Sequence, residues 1–328
     1  MSGGRTGEVR WGILSTARIA RQHVIPAIRD SRNGRAVAIA SRDKARARRV
    51  ADEFEIPRAY GSYDELLADP DVDAIYNPLP ISLHAEWSVR CAEAGKPVLC
   101  EKPLAANAEE ARRMVEAFAE RELLLAEGLM YRFHPLTRRV KAMVDDGAVG
   151  DIRLMRAVFC AATPGEDNIR LRAELAGGAM RDLGCYCVSV MRLMTGQEPN
   201  EVTATGHVGP ETDVDEWVAG TLTFPSGARG TFACGLRMEF GCSYEICGTE
   251  GRITVPGGVV PGKENEATIH HYQDYNRTDI AIPPADHYRL MVEDFTNALL
   301  EGRPPTYPPE DAIHNLHVID QALAAVRA

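Results

Sequence analysis

The residues of this chain best suited to chemistry fall at three points near its start. The first is the turn Gly12-Ile13-Leu14-Ser15-Thr16-Ala17-Arg18-Ile19-Ala20, which follows an apolar run and precedes a helical pattern. A turn that seats a dinucleotide needs small residues where backbone approaches the pyrophosphate, and a helix N-terminus whose free N–H groups meet the anion. Ser15, Ala17 and Ala20 meet the size requirement where the fingerprint carries glycines. An ordinary strand–helix turn capped by Ser15 or Thr16 fits the same stretch. The second point is Ser41-Arg42-Asp43-Lys44, at the end of the next apolar run. NAD-selective sites place Asp or Glu here on the ribose 2′-hydroxyl, whereas Arg suits a 2′-phosphate. Ser41 and Arg42, with Lys44 nearby, therefore predict NADP(H) in preference to NAD(H); a helix capped by Ser41 with solvated charges behind it is the alternative. The third point is Glu101-Lys102-Pro103, directly after Pro97-Val98-Leu99-Cys100. Parallel α/β sheets bind ligands beyond the carboxyl ends of their strands. Lys102, with its backbone restricted by Pro103, is placed there for proton transfer or polar substrate contact.

These residues need a scaffold, and the pattern around them supplies one. Apolar, β-rich runs at 9–14, 36–40, 59–60, 73–77, 96–100 and 123–127 alternate with helical patterns at 18–29, 43–54, 63–68, 83–94 and 108–120. Such alternation with short connections predicts a doubly wound parallel sheet of the Rossmann type over residues 1–128. The pattern then changes. Residues 152–161, 201–208, 214–224, 229–238, 243–247 and 252–255 read as successive strands, several separated by turn signals such as Pro225-Ser226-Gly227. Phe232, Cys234, Leu236 and Met238 alternate with Thr231, Ala233, Gly235 and Arg237, the period of a sheet with one buried face. Residues 129–328 thus predict an α+β domain with a large, mostly antiparallel open sheet whose uncovered face suits an oligomer interface. Two final helices, about 288–301 and 309–326, flank a Pro-rich link and are candidates to pack back on the first domain.

Composition narrows the function classes. The chain has 328 residues, 45% apolar and 26% charged, which suits two globular domains rather than disorder. With 37 basic and 47 acidic residues the formal net charge is −10, against a nucleic-acid or anionic-membrane surface. No apolar run approaches the length of a membrane span, and MSGGRTGEVRWG lacks a signal-type apolar stretch. A cytoplasmic protein is expected. Eight cysteines occur without a C-x-x-C pair, and His270-His271 and Cys185-x-Cys187 lack zinc-ligand spacing, so neither a disulfide framework nor a metal is expected.

Five segments together resemble the glucose–fructose oxidoreductase, inositol dehydrogenase and MocA-like oxidoreductases over nearly the whole chain. They are Arg10-Trp11-Gly12-Ile13 leading to Ala17-Arg18-Ile19-Ala20; Pro78-Leu79-Pro80 with Leu83-His84; Glu101-Lys102-Pro103; Glu127-Gly128-Leu129-Met130-Tyr131-Arg132-Phe133-His134-Pro135; and Gly177-Gly178-Ala179-Met180-Arg181-Asp182-Leu183-Gly184-Cys185-Tyr186. The fourth is most similar to the dihydrodiol dehydrogenase, NADP-dependent xylose dehydrogenase and sugar ketoreductase branch. The resemblance implies an NADP(H)-dependent oxidoreductase of CH–OH groups, active on a carbohydrate, polyol or keto-sugar and forming homodimers or homotetramers through its open sheet. It implies that Lys102 is the active-site lysine and that Asp182 and Tyr186 face the substrate, with Tyr131 beside them. Ser15, Thr16, Ala17, Ile19, Ser41, Arg42, Pro78, Leu79, His84, Glu101 and Arg170 match cofactor-contacting positions. Ser15 and Ala17 depart from the usual glycines, and Ala176 stands where a third Gly often precedes Gly177.

Asp182 and Tyr186 are four apart, so on a helix they share one face. A helix-capping Asp and a core Tyr would fit that spacing too, and His84 and His134 fit either site or packing roles; His270-His271 reads as surface. Taken as a set, Lys102, Asp182 and Tyr186 predict proton handling at a reacting carbonyl. Tyr186 is the expected donor with Lys102 tuning it, and the reverse assignment fits nearly as well. A regulatory protein of the same fold that senses dinucleotide and sugar without turnover is the competing function. Several sugars and dihydrodiols fit the same residues.

Overall fold

The computed structural model describes residues 7–163, 165 and 168–328; residues 1–6, where the absence of a signal-type stretch is read, lie outside them. The chain divides into two compact units, one of residues 1–130 with 288–313, the other of residues 131–287 with 314–328.

In the first unit, β1 (Val9–Leu14), α1 (Ile25–Asp30), β2 (Gly34–Ala40), α2 (Lys44–Glu53), β3 (Arg58–Tyr60), α3 (Tyr63–Leu67), β4 (Ala74–Asn77), α4 (His84–Glu93), β5 (Val98–Cys100), α5 (Ala108–Ala119) and β6 (Leu125–Glu127) alternate. The strands pair parallel in the order β3-β2-β1-β4-β5-β6. Strand order reverses beside β1 and β4, the switch point where such sheets open a crevice for ligands. Parallel strands are covered on both faces, and β4 and β5 are accordingly buried at every residue. In α5, Ala108, Ala111, Met114, Val115 and Phe118 form the buried stripe, and the Asn107 side chain accepts from Glu110 N at 2.9 Å to start the helix.

The single helix expected over 18–29 is divided: a π-helical turn, Ala20–Val24, precedes α1. Pro26 has no N–H for the carbonyl four residues earlier, and the preceding turn widens instead. The same proline then sits at the start of α1, where a missing N–H costs nothing.

The second unit opens with α6 (Pro135–Asp145) and β7 (Ile152–Ala161). After these come α7 (Cys185–Thr195), β8 (Glu201–Val208), β9 (Asp215–Thr223), β10 (Arg229–Leu236), β11 (Gly241–Gly248), β12 (Arg252–Pro256), β13 (Ala267–Gln273) and β14 (Asn276–Ile282). Its sheet runs β14-β13-β12-β11-β7-β10-β9-β8, antiparallel except for the β7–β10 pair. On the covered face, Met155, Ala157, Phe159, Phe232, Cys234, Tyr244 and Ile246 are buried. There α7 packs so closely that a Cβ on Gly230 would lie 2.6 Å from Met191 Sδ. The other face carries Leu154, Val158 and Trp217, each more than a third exposed.

Two sequence expectations change here. The β10 alternation stops at Leu236, not Met238, because Arg237 turns to φ +56° and Met238 is exposed. Of the β13–β14 hairpin, the sequence shows only an alternating strand around His270-His271 and not its partner. Its turn, Asp274-Tyr275, takes φ of +49° and +64° without the glycine that marks such turns in a sequence.

The last helices are α8 (His287–Glu301) and α9 (Glu310–Arg327). From Tyr288 to its end, α8 belongs to the first unit. There Phe295 meets Trp11 with ring centroids 5.1 Å apart, and Asn33 Nδ2 donates to Asn297 Oδ1 at 2.7 Å. From His314 on, α9 belongs to the second, and Asn315 Nδ2 donates to Cys185 O at 3.1 Å.

Candidate active site

In the first unit the candidate residues gather at the carboxyl ends of β1, β2, β4 and β5. Ser15 follows β1 with φ +74°, a left-handed backbone that glycine enters freely and other residues at a cost of about 1–2 kcal/mol. Its N–H donates to Ala40 O at 2.9 Å, and its Oγ accepts from Ala17 N at 3.3 Å, which offsets part of that cost. Thr16 is buried, Ala17 and Ile19 are half-buried, and the π-turn starts at Ala20. This small, left-handed turn fits a pyrophosphate.

At the end of β2, Ser41 is buried and its Oγ accepts from Asp43 N at 3.2 Å. The cap of α2 is Asp43, whose side chain accepts from Arg46 N, so the alternative of Ser41 as helix cap is corrected. Arg42, Lys44 and Arg46 are all exposed around this helix start. Burial pushes the Tyr63 phenol up, while the charges of Arg42 and Arg46 pull it back, so both guanidinium groups lie near that hydroxyl. Arg46 was not singled out from sequence; it is recognisable only as one turn beyond Arg42. Arg42, Lys44 and Arg46, with Asp43 held at the helix cap, fit a 2′-phosphate.

Beyond β4, Asn77 Oδ1 accepts from Leu79 N at 3.2 Å and its Nδ2 donates to Ser88 Oγ at 3.0 Å, which shapes Pro78-Leu79-Pro80. His84 is buried, with Nε2 2.7 Å from Leu79 O and Nδ1 3.0 Å from Pro103 O. Each ring nitrogen faces a backbone carbonyl, and the neutral ring donates to one of them at a time, so His84 sits between the Pro78–Pro80 loop and the Lys102–Pro103 loop. Burial lowers its pKa, against those backbone contacts. Beyond β5, the buried Glu101 receives the Tyr76 hydroxyl at 2.7 Å and Lys102 N at 3.3 Å. Lys102 is half-buried, and its bond to Pro103 is cis. Gly128 eases a close approach here: a Cβ would stand 3.1 Å from Cys100 O and 3.3 Å from Glu101 Cα.

In the second unit, Arg170 lies in the 3-10 turn Ile169–Leu171, where Asn168 Oδ1 accepts from Arg170 N at 3.1 Å. Arg170 Nε donates to Asp182 Oδ2 at 2.5 Å. The Asp182 charge raises the Arg170 pKa against burial, and Tyr186 adds to the rise. Arg170, Asp182 and Tyr186 thus form one cluster. Asp182 lies inside a π-helical turn, Met180–Gly184, ahead of α7, so it is not a helix cap; Tyr186 is the second residue of α7. Backbone proximity sets the cluster. Gly178 N donates to Arg170 O at 2.9 Å, and a Cβ on Gly177 would lie 2.5 Å from that same oxygen. Ala176 takes φ +58°, which explains the glycine common at this position.

Tyr131 is fully buried with its hydroxyl 2.7 Å from Ser189 Oγ, which also receives Arg132 Nη2 at 2.8 Å. It meets Tyr186 through its ring, at 6.0 Å between centroids, and Phe159 meets Tyr186 at 5.5 Å. The Tyr131 ring is thus packed against Tyr186 while its hydroxyl turns to Ser189. His134 caps α6, its Nδ1 accepting from Leu136 N at 3.0 Å. His270 and His271 are half-buried rather than plainly surface, bonded to Asp279 Oδ1 and Ala148 O respectively. All eight cysteines are free thiols, and no group of three metal-binding side chains occurs among the described residues.

Residues 9–129 match the family model described as an oxidoreductase family with an NAD-binding Rossmann fold, and residues 137–254 match the GFO/IDH/MocA C-terminal domain. The chain belongs to the GFO/IDH/MocA oxidoreductases. Among its relatives in that family, a D-xylose 1-dehydrogenase (NADP+) of Haloferax volcanii is 39% identical over 94% of this chain and 95% of its own. A trans-1,2-dihydrobenzene-1,2-diol dehydrogenase of Xenopus laevis is 35% identical over 80% and 82%. A crystallised 3-ketoreductase of Actinomadura kijaniata, in complex with NADP and TDP-benzene, superposes with a TM-score of 0.93 at 31% identity, covering 98% of both chains. This GFO/IDH/MocA chain thus shares a fold over 98% of its length with an enzyme crystallised with the dinucleotide. No helix among its described residues is long and apolar enough to cross a membrane.

Proposed function

We propose that this chain is an NADP(H)-dependent oxidoreductase of CH–OH groups, acting on a carbohydrate or related polyol or keto-sugar in the cytoplasm. The observation that carries the reading is the Arg170–Asp182 pair at 2.5 Å beside Tyr186, in a chain whose Rossmann unit follows β2 with Ser41 and the exposed cation Arg42. The names of the xylose dehydrogenase, dihydrodiol dehydrogenase and ketoreductase relatives support it.

When bound, the dinucleotide supplies or accepts the hydride. Ser15, Thr16, Ala17 and Ile19 seat its pyrophosphate, and Arg42, Lys44 and Arg46 hold the 2′-phosphate. The loops Pro78–Leu79 and Glu101–Lys102 border the nicotinamide end, with His84 between them. Reduction of a carbonyl builds negative charge on its oxygen, which a donor must stabilise and protonate. Tyr186 donates that proton and Lys102 contributes positive charge. Asp182, held by Arg170, orients the substrate hydroxyls. The exposed sheet face around Leu154, Val158 and Trp217 joins copies of the chain into a homodimer or homotetramer; a monomer in sedimentation would remove that part of the reading.

The test is to mix the protein with NADPH and a panel of keto-sugars, or NADP+ and aldoses and dihydrodiols, and follow nicotinamide absorbance. Turnover of at least one class is expected. Tight NADPH binding without turnover across the panel would identify a dinucleotide-dependent sugar sensor instead.

A further inference from the structure

The π-turn that carries Asp182 begins without a local cap: Ala179 has no polar side chain and makes no side-chain cap bond. The missing acceptor comes from 35 residues further along. Asp215, the first residue of β9, takes Met180 N on its Oδ2 at 2.6 Å. Its other oxygen lies against Gly178, which has φ +118°; a Cβ on Gly178 would overlap Asp215 Oδ1. The carboxylate thus touches both ends of the segment Gly178–Met180. That segment is joined to the candidate site on either side, by Gly178 N to Arg170 O at 2.9 Å and by the two-residue step from Met180 to Asp182.

We propose that Asp215 is a positioning residue for the reaction: its carboxylate anchors the start of the π-turn and thereby sets the Arg170–Asp182 pair beside Tyr186. This rests on the oxidoreductase reading and names a residue that reading does not use. The anchor is 3% exposed, so it acts through Met180 and Gly178. A carboxylate receiving a helix N–H makes a stronger and shorter bond than a neutral acceptor, and it complements the positive end of the helix. Charge on Asp215 therefore tightens the turn, and a proton on it loosens the turn.

Several groups face this carboxylate. Arg181 of the π-turn and Arg327 of α9 stabilise its charge, the buried Cys234 thiol of β10 lies within electrostatic reach, and Asp213 and Asp320 line the same cavity of about 370 Å³. Asp215 itself lines that cavity, on the side where α9 contributes Asp320, Leu323, Ala324 and Arg327. Burial outweighs the Met180 N–H and the two arginines, and the acid is pushed up to about 6. Activity should then fall several-fold as pH drops through about 6.

The experiment compares the parent protein with D215N and D215A. Its readouts are NADPH affinity, the single-turnover rate of hydride transfer from pH 5 to 8, melting temperature, and amide exchange across residues 178–186. Asp215→Asn is expected to melt no lower than the parent at pH 7.5, since it spares a desolvated charge, yet to transfer hydride three- to tenfold more slowly and without the step near pH 6. Asp215→Ala is expected to slow transfer tenfold or more with NADPH affinity within twofold, and to speed exchange at Met180–Gly184. A D215N profile that keeps the step, or a folded D215A within threefold of the parent, overturns the proposal. If D215A loses NADPH binding through misfolding, the D215N profile decides. If the parent itself turns over no substrate, the oxidoreductase reading fails, and exchange in D215N and D215A, faster than the parent or unchanged, still decides the anchor.

Discussion

The two units build their halves of the candidate chemistry by different means. In the Rossmann unit backbone shapes the loops that carry the cationic side chains: a left-handed Ser15, a Gly128 close to Cys100 O and Glu101, and loops bordered by His84 and Asn77 through carbonyls and amides. In the sheet unit the work falls to side chains, with Arg170, Asp182 and Tyr186 in one cluster braced by Tyr131 and Phe159. Backbone is a set of fixed donors and acceptors, suited to a ligand common to a whole family. Side chains vary in charge and reach, suited to the chemistry and to the choice of substrate. Cofactor affinity and turnover should therefore be separable by mutation.

The largest test of that separation is Tyr186→Phe, with Lys102→Met and Asp182→Asn beside it. Removing a general acid costs ~10²–10⁴ in rate. Single-turnover hydride transfer should fall by that range in the Tyr186 variant, with NADPH affinity little changed. If the Tyr186 and Lys102 variants both stay within a few-fold of the parent, the side-chain cluster is packing and the contrast between units disappears.

A smaller effect is expected from Arg42→Ala. A charge-assisted contact to a phosphate is worth ~1.5–3 kcal/mol, so titration with NADPH should show roughly tenfold or greater weakening, with NADH binding unchanged. Equal affinity for both cofactors in the parent would show that the exposed cations after β2 do not select. Adding Arg46→Ala should erode the preference further, which sharpens the claim that a pair of guanidinium groups reads this end.

The smallest effect is at the turn itself. Ser15→Gly releases a left-handed strain of about 1–2 kcal/mol and gives up the Oγ contact to Ala17 N together with some unfolded-state entropy. A net gain of under about 1 kcal/mol is expected in denaturant melts. A loss of stability would mean that the Ser15 hydroxyl is worth more than the strain.

Much of this protein was legible in its residues. Alternating apolar runs and helical patterns identify the Rossmann unit because parallel strands must be apolar on both faces and their connections short. Period-two burial identifies the open sheet for the same kind of reason. The placement of Lys102 after β5 and of Ser15 after β1 followed from strand ends, which are local features.

What sequence left undecided depends on contacts between distant residues. Spacing put Asp182 and Tyr186 on one helical face but left cap, core and site open; only folding brings Arg170 to 2.5 Å from Asp182. The motif named His84 and Tyr131, yet their hydrogen-bonding atoms meet carbonyls and a serine that spacing along the chain does not indicate. Asp215 carried no motif at all, because the amide it caps lies 35 residues away. Hydrophobic periodicity is written locally and survives in a string of letters; the satisfaction of a buried polar atom depends on which partner the packed chain delivers, and tertiary structure alone decides that.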